Sequence, residues 1–244
     1  MALGLVRAAV TAMAVLVILG HQAAAQQPQG PSRIVVDPGH GGKDRGASGA
    51  QGVLEKDVVL TLARELREEA RAMGGFQVLL SREEDETFAW PRRLDAARGA
   101  DLWLSLHANA DFQGKARGPR VFYSAPRANG GGLKAPHFSP RSGADVRAIL
   151  QDMALTKRTN ENLLLAEHLQ RVLESVWGVS SRPSRQVPLL GLPELECPSV
   201  LVEVGFLTNA VDLRWLQDQG KRRAIVRSLL RGIRAFFQDP RRME

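Results

Sequence analysis

Two histidines and two glutamates carry the chemistry this sequence offers, because each falls where a regular element begins or ends. His40 lies in Asp37-Pro38-Gly39-His40-Gly41-Gly42, just past a β-branched run, and His107 follows the apolar run ending at Leu106. Glu55 opens an amphipathic stretch on the far side of a glycine-rich segment from His40, and Glu203 lies between Val202 and Val204 just before Gly205. Two neutral imidazoles and one carboxylate form the ligand set of a catalytic zinc, leaving a fourth position for a water whose pKa the ion lowers to about 7. A carboxylate inside an apolar run is costly without a partner. Glu203 suits a general base that takes that water's proton and returns it to a leaving group. Plainer roles stand beside these: Glu55 would also steady the positive end of a helix, and Glu203 would also pair with an arginine. Of the five histidines, His21 falls in a leader, His137 in an irregular stretch and His168 on a helix face that reads as solvated.

The elements that position these residues follow from periodicity. Residues 33–37 (RIVVD) form a buried strand, and residues 38–52, with six glycines, form a loop. Val59, Leu62, Ala63, Leu66, Ala70 and Met73 then recur at helical spacing over residues 55–73, closed by Gly74-Gly75. Strands follow at 76–80 and 101–106, with a short helix at 91–98 that has proline at its start. Residues 120–123 form a further strand. Residues 124–144, with Gly130-Gly131-Gly132 and three prolines, read as an irregular, exposed insertion. Helical pattern returns over 145–177, in two pieces broken near 156–159, and residues 199–204 (SVLVEV) make another strand. Asn209 caps the next helix, and residues 221–237 form a last one with Ile225, Leu229, Ile233 and Phe236 inward. The expected fold is a single α/β domain, a mainly parallel twisted sheet with helices on both faces. In such sheets active groups gather at the carboxyl edge, where His40, His107 and Glu203 fall.

Composition narrows the class. The 244 residues are 44% hydrophobic and 24% charged, which excludes a disordered chain and a membrane-embedded one. The net charge of +7 points to anionic partners, although a bias toward arginine codons gives the same sum. Residues 1–7 carry one positive charge, residues 8–20 are apolar and Ala23-Ala24-Ala25 offers a small-residue cleavage site. Residues 1–25 are therefore expected to be a secretory signal peptide cleaved before Gln26, with residues 26–32 as a short linker. Cys197 is the sole cysteine and reads as a small buried side chain.

Five blocks in order, residues 34–44 (IVVDPGHGGKD), Glu55-Lys56-Asp57, Ser81-Arg82, residues 100–110 (ADLWLSLHANA) and residues 201–209 (LVEVGFLTN), closely resemble the zinc-dependent N-acetylmuramoyl-L-alanine amidases of the Amidase_3 type. The resemblance implies an amidase catalytic domain over residues 33–238, one zinc held by His40, Glu55 and His107, and Glu203 as catalytic carboxylate. It implies hydrolysis of the amide between the lactyl group of N-acetylmuramic acid and L-alanine of the peptidoglycan stem peptide. Peptidoglycan would be the partner, together with an activator protein of the division machinery, and the protein would work in the periplasm. No nucleic acid is expected, and a membrane is met only during export. Many family members carry a separate N-terminal targeting domain, where residues 26–32 alone separate the leader from the first strand here. Some insert a helix that places a glutamate over the zinc. Residues 124–144 occupy that place without an Asp or Glu, so a mobile cover opened at its glycines is expected instead. A two-His, one-Glu site also serves peptidases and deacetylases acting on other amides, and a non-catalytic peptidoglycan-binding module on the same fold is the other alternative.

Overall fold

The computed structural model describes residues 31–87, 89–126, 144–179 and 183–243. The expected leader, His137 and nearly all of the expected insertion lie outside the described residues. The strands are β1 (Ser32–Pro38), β2 (Phe76–Leu80), β3 (Leu102–Asn109), β4 (Arg120–Tyr123), β5 (Arg185–Gln186) and β6 (Ser199–Phe206). The helices are α1 (Glu55–Met73), α2 (Trp90–Ala96), α3 (Ala144–Trp177), α4 (Ala210–Gln217) and α5 (Gln219–Gln238). They build one sheet in the order β2-β1-β3-β6-β4-β5. The first four of these strands run parallel; β4 is antiparallel to β6, and β5 follows β4.

Helices cover both faces of the sheet, unequally. Alternate strand residues such as Ile34, Val36, Leu104, Leu106, Val202 and Val204 pack into one large core with the apolar stripes of α1, α3 and α5. The opposite set is covered at the amino end of the strands, where Val35 and Trp103 meet Leu192, Leu195 and Cys197, with Trp90 and Leu94 of α2 against them. Burial in this second cluster pushes the Cys197 thiol up to about 12, as befits an inert side chain. At the carboxyl end the same face carries Asp37, Ser105, His107 and Glu203.

Local signals placed most elements. Asn209 caps α4 by accepting from the Val211 and Asp212 amides at 3.0 and 3.3 Å, and Gly74 closes α1 with φ +68°. Three readings need correction. The helix expected in two pieces is one unbroken helix, α3, because Thr159 turns its hydroxyl back onto the Leu155 carbonyl at 2.9 Å instead of competing with the backbone ladder. β3 continues through His107 to Asn109, so His107 lies within the strand rather than beyond it. His168 is not solvated: its Nε2 pairs with Asp239 Oδ2 at 2.8 Å where the end of α5 turns across α3.

Candidate active site

The β1–α1 loop is shaped by the side chains it must admit. A methyl group at Gly39 would collide with the imidazole of His107, and one at Gly46 would stand 2.5 Å from Glu55 Oε2 and 2.6 Å from His40 Cδ2. His40 itself takes the left-handed conformation, φ +61°, a strain L residues accept only where the surroundings enforce it. Two buried arginines do the enforcing. Arg82 donates to the carbonyls of Pro38, Gly39, Lys56 and Glu84, each at 3.0 Å. Arg93 donates to the His40 carbonyl at 2.9 Å and forms a buried ion pair with Asp37. Asp37 also accepts from Ser81 Oγ at 2.5 Å and Ser105 Oγ at 3.1 Å, which locks the end of β1 to its two neighbours. Lys56 completes the frame by bridging the Gly42 carbonyl and Asp85.

Within that frame His40, Glu55 and His107 converge, with one ligand atom from each lying within 4.8 Å of the others. The Glu55 carboxylate spans the two imidazoles: Oε2 is 3.1 Å from His40 Nε2 and Oε1 is 2.9 Å from His107 Nδ1. Backbone amides of Ala47 and Ala108 donate to the same oxygens at 2.7 and 3.0 Å. Burial works against ionisation of Glu55, but the hydrogen bonds from His107 and His40, with the Ala47 amide, outweigh it and hold the carboxyl well below its ordinary range. The His40 imidazole is raised, chiefly by its bond to Glu55 against the opposing effect of burial, with Asp44 adding to the rise. Asp44 Oδ2, 2.9 Å from His40 Nδ1, fixes which nitrogen faces Glu55.

Glu203 stands directly beside this group, since His107 and Glu203 are register partners across β3 and β6. The register slips between His107 and Asn109, and this irregularity brings Asn109 Nδ2 to 2.7 Å from Glu203 Oε2. Burial raises the Glu203 pKa, opposed in part by the Asn109 bond and the nearby Arg120 charge. All four residues singled out in the sequence are thus brought together. The positioning groups Arg93 and Asn109 were not singled out, because their partners come from remote parts of the chain or from a slip in register that no periodicity encodes, and Asp44, only four residues from His40, lies in a glycine-rich loop without periodicity to place its side chain. Among the described residues, a cavity of about 550 Å³ between α3 and Arg241-Arg242 shares no residue with this site.

The profile of the N-acetylmuramoyl-L-alanine amidases of the Amidase_3 type matches residues 34–235. The chain belongs to that family. It is 31% identical over 234 residues to N-acetylmuramoyl-L-alanine amidase AmiA of Escherichia coli K12, an alignment covering 89% of this chain and 81% of the relative. The fold is shared with an N-acetylmuramoyl-L-alanine amidase of Clostridium difficile 630, with TM-score 0.68 and 22% identity over 87% of this chain and all of that one. It is also shared with the CwlD amidase of Clostridioides difficile, solved in complex with the GerS lipoprotein, with TM-score 0.65 and 24% identity over 85% of this chain and 98% of that one. As a member of the amidase family, the protein is a hydrolase of the bond between N-acetylmuramic acid and L-alanine in peptidoglycan.

Proposed function

We propose that this amidase works with a single zinc held by His40, Glu55 and His107, and with Glu203 as its general base. The observation that carries the reading is the convergence of two imidazoles on one buried carboxylate. Nitrogen and carboxylate oxygen are the donors zinc prefers, and three of them leave a position open for chemistry. Zinc bound there supplies Lewis acidity at the scissile carbonyl and at the attacking water.

The chain's own groups account for the rest. Glu203, beside His107 on the neighbouring strand, accepts the proton of the attacking water and delivers it to the L-alanine nitrogen as the carbon–nitrogen bond breaks. Among the described residues Asn109 alone bonds that carboxylate, through Oε2, which leaves Oε1 to carry the proton. Burial raises the pKa of this carboxyl, the direction that helps it hold the proton before passing it on. Asp44 orients His40, and Arg93 and Arg82 hold the loop against the sheet edge so that the site is preorganised.

The leader pattern in residues 1–25 supports export to the periplasm, with residues 33–238 as the catalytic domain. No helix among the described residues is long and apolar enough to cross a membrane. A protein activator is a proposed partner, a reading in keeping with the CwlD–GerS complex of the same fold. The test is digestion of purified peptidoglycan by the protein with and without chelator. Free muramoyl ends and peptides starting at L-alanine are expected, and chelator should abolish both. Cleavage within the stem peptide would mean a peptidase instead.

A further inference from the structure

Arg120 lies on β4 as the register partner of Glu203. Its neighbours Val121 and Tyr123 are buried against the helical layer, so Arg120 and Phe122 belong to the half-buried opposite set, the set that carries the site. The guanidinium stacks on Phe206, its Cζ 4.7 Å from the ring centroid. Stacking fixes the plane of the group while leaving its in-plane donors available. Among the described residues no carboxylate comes within 4.0 Å of it, whereas Arg93 is paired with Asp37 and Arg82 is spent on backbone carbonyls. Arg185 lines a small pocket with it, together with Phe122 and Pro183, so a second cation flanks the same spot.

Glu203 and Asp111 lie near enough to feel the Arg120 charge, but among the described residues neither forms an ion pair with it. This half-buried, aromatic-backed guanidinium beside a general base therefore keeps its donors for an anion that arrives with the substrate. In the substrate of an amidase the lactyl carboxyl is consumed in the scissile amide. The nearest free carboxylate is then on the stem peptide, at the residue after L-alanine. Resting on the amidase reading, we propose that Arg120 is a specificity-determining residue that binds this carboxylate and so favours acidic stem peptides over those amidated at that position.

The test uses two soluble muramoyl-peptides that differ only in whether the second residue's α-carboxyl is free or amidated, with zinc-loaded protein. The wild-type protein should favour the free carboxylate by about tenfold in kcat/KM. Arg120→Gln should bring the kcat/KM values of the two substrates to within about twofold of each other, with the loss specific to the free-carboxylate substrate appearing in KM, whereas a change shared by both substrates reports only the removal of a charge beside Glu203. Arg120→Lys, which keeps the charge but not the fork, should retain part of the preference. A wild-type protein indifferent to amidation, an Arg120→Gln protein that keeps the preference, or an equal loss on both substrates would each overturn the role given to Arg120. A wild-type protein that cleaves neither substrate at full zinc content would overturn the amidase reading itself.

Discussion

Neighbouring residues on β1, β3 and β6 serve opposite purposes. The set facing the three long helices, with Ile34 and Val36, Leu102, Leu104 and Leu106, and Val200, Val202 and Val204, is apolar from end to end and fully buried. The alternate set changes character along each strand: Val35 gives way to Asp37, Trp103 to Ser105 and His107, and Leu201 to Glu203. Its amino ends are sealed by α2 and the turn around Leu192, and its carboxyl ends form the site. Because side chains alternate with period two, one strand supplies stability on one face and chemistry on the other. The two properties should therefore respond separately to substitution.

The largest expected effect lies wholly on the site face. Replacing His40, Glu55 or His107 by alanine should lower zinc content and bring hydrolysis to background; none of the three contributes to the apolar core, but Glu55→Ala should also lower the thermal transition of the metal-free protein, because its carboxylate accepts from the Ala47 and Ala108 amides. A His107→Ala protein with full zinc content, measured by metal analysis of dialysed protein, would break the assignment. Next comes Glu203→Gln, which keeps the Asn109 contact and the shape but cannot accept a proton. It should retain zinc and lose about 10²-fold or more in kcat. Near-normal turnover would mean that another group moves the proton.

The helical face should give the reverse pattern. Leu104→Ala removes a fully buried side chain and should cost about 2–5 kcal/mol in denaturant unfolding. Turnover per folded, zinc-loaded molecule should be preserved. Arg93→Ala sits between the two cases: it leaves Asp37 buried without its ion-pair partner, a loss of about 3–5 kcal/mol, and it also releases the His40 carbonyl. That variant should lose both stability and zinc affinity. If Arg93→Ala destabilised the fold yet bound zinc as tightly as wild type, the arginine would be a structural support and not part of the site's frame.

How far these properties could be read in advance depended on range. Runs such as residues 34–36 and the stripe Val59, Leu62, Leu66 state their element by local pattern, and the four chemical residues stand at element ends that such patterns locate. The continuity of α3 through residues 156–159 does not show in the local pattern, because this stretch includes a threonine whose hydroxyl bonds back to its own helix. The two-residue β5 has too little sequence to carry any periodicity. Apart from the Glu84 carbonyl bonded by Arg82, Arg82 and Arg93 act through carbonyls and a carboxylate 26 to 56 residues away, contacts that only the closed sheet creates. The uneven covering of the two faces was likewise invisible, since period two shows that both sides are buried and not by what.

The smallest expected effect tests a carboxylate that belongs to neither pattern. Asp212, fully buried at the start of α4, accepts from the amides of Gly118 and Phe206 through one oxygen, Oδ2, at 2.7 and 3.0 Å. It thereby ties the loop before β4 to the end of β6. Among the described residues its other oxygen has no hydrogen-bond partner, and Arg117 Nε stands 4.0 Å away. Burial, only partly offset by the two amides, raises its pKa above the ordinary 3.8. The folded state therefore holds this proton at pH values where the unfolded chain has released it. By linkage, the stability due to protonated Asp212 is complete below the unfolded value and is lost as pH rises through the raised folded value. Asp212→Asn keeps an acceptor oxygen for both amides but cannot ionise, so its stability should lack this loss. The check is denaturant unfolding of both proteins at several pH values from about 3.5 upward, taking the difference so that other titrations cancel. The wild type should fall relative to the variant with rising pH, by less than the Leu104→Ala cost, while zinc content stays equal. A difference that is flat with pH, or that runs the other way, would show that the Arg117 charge and the two amides already compensate the buried carboxylate.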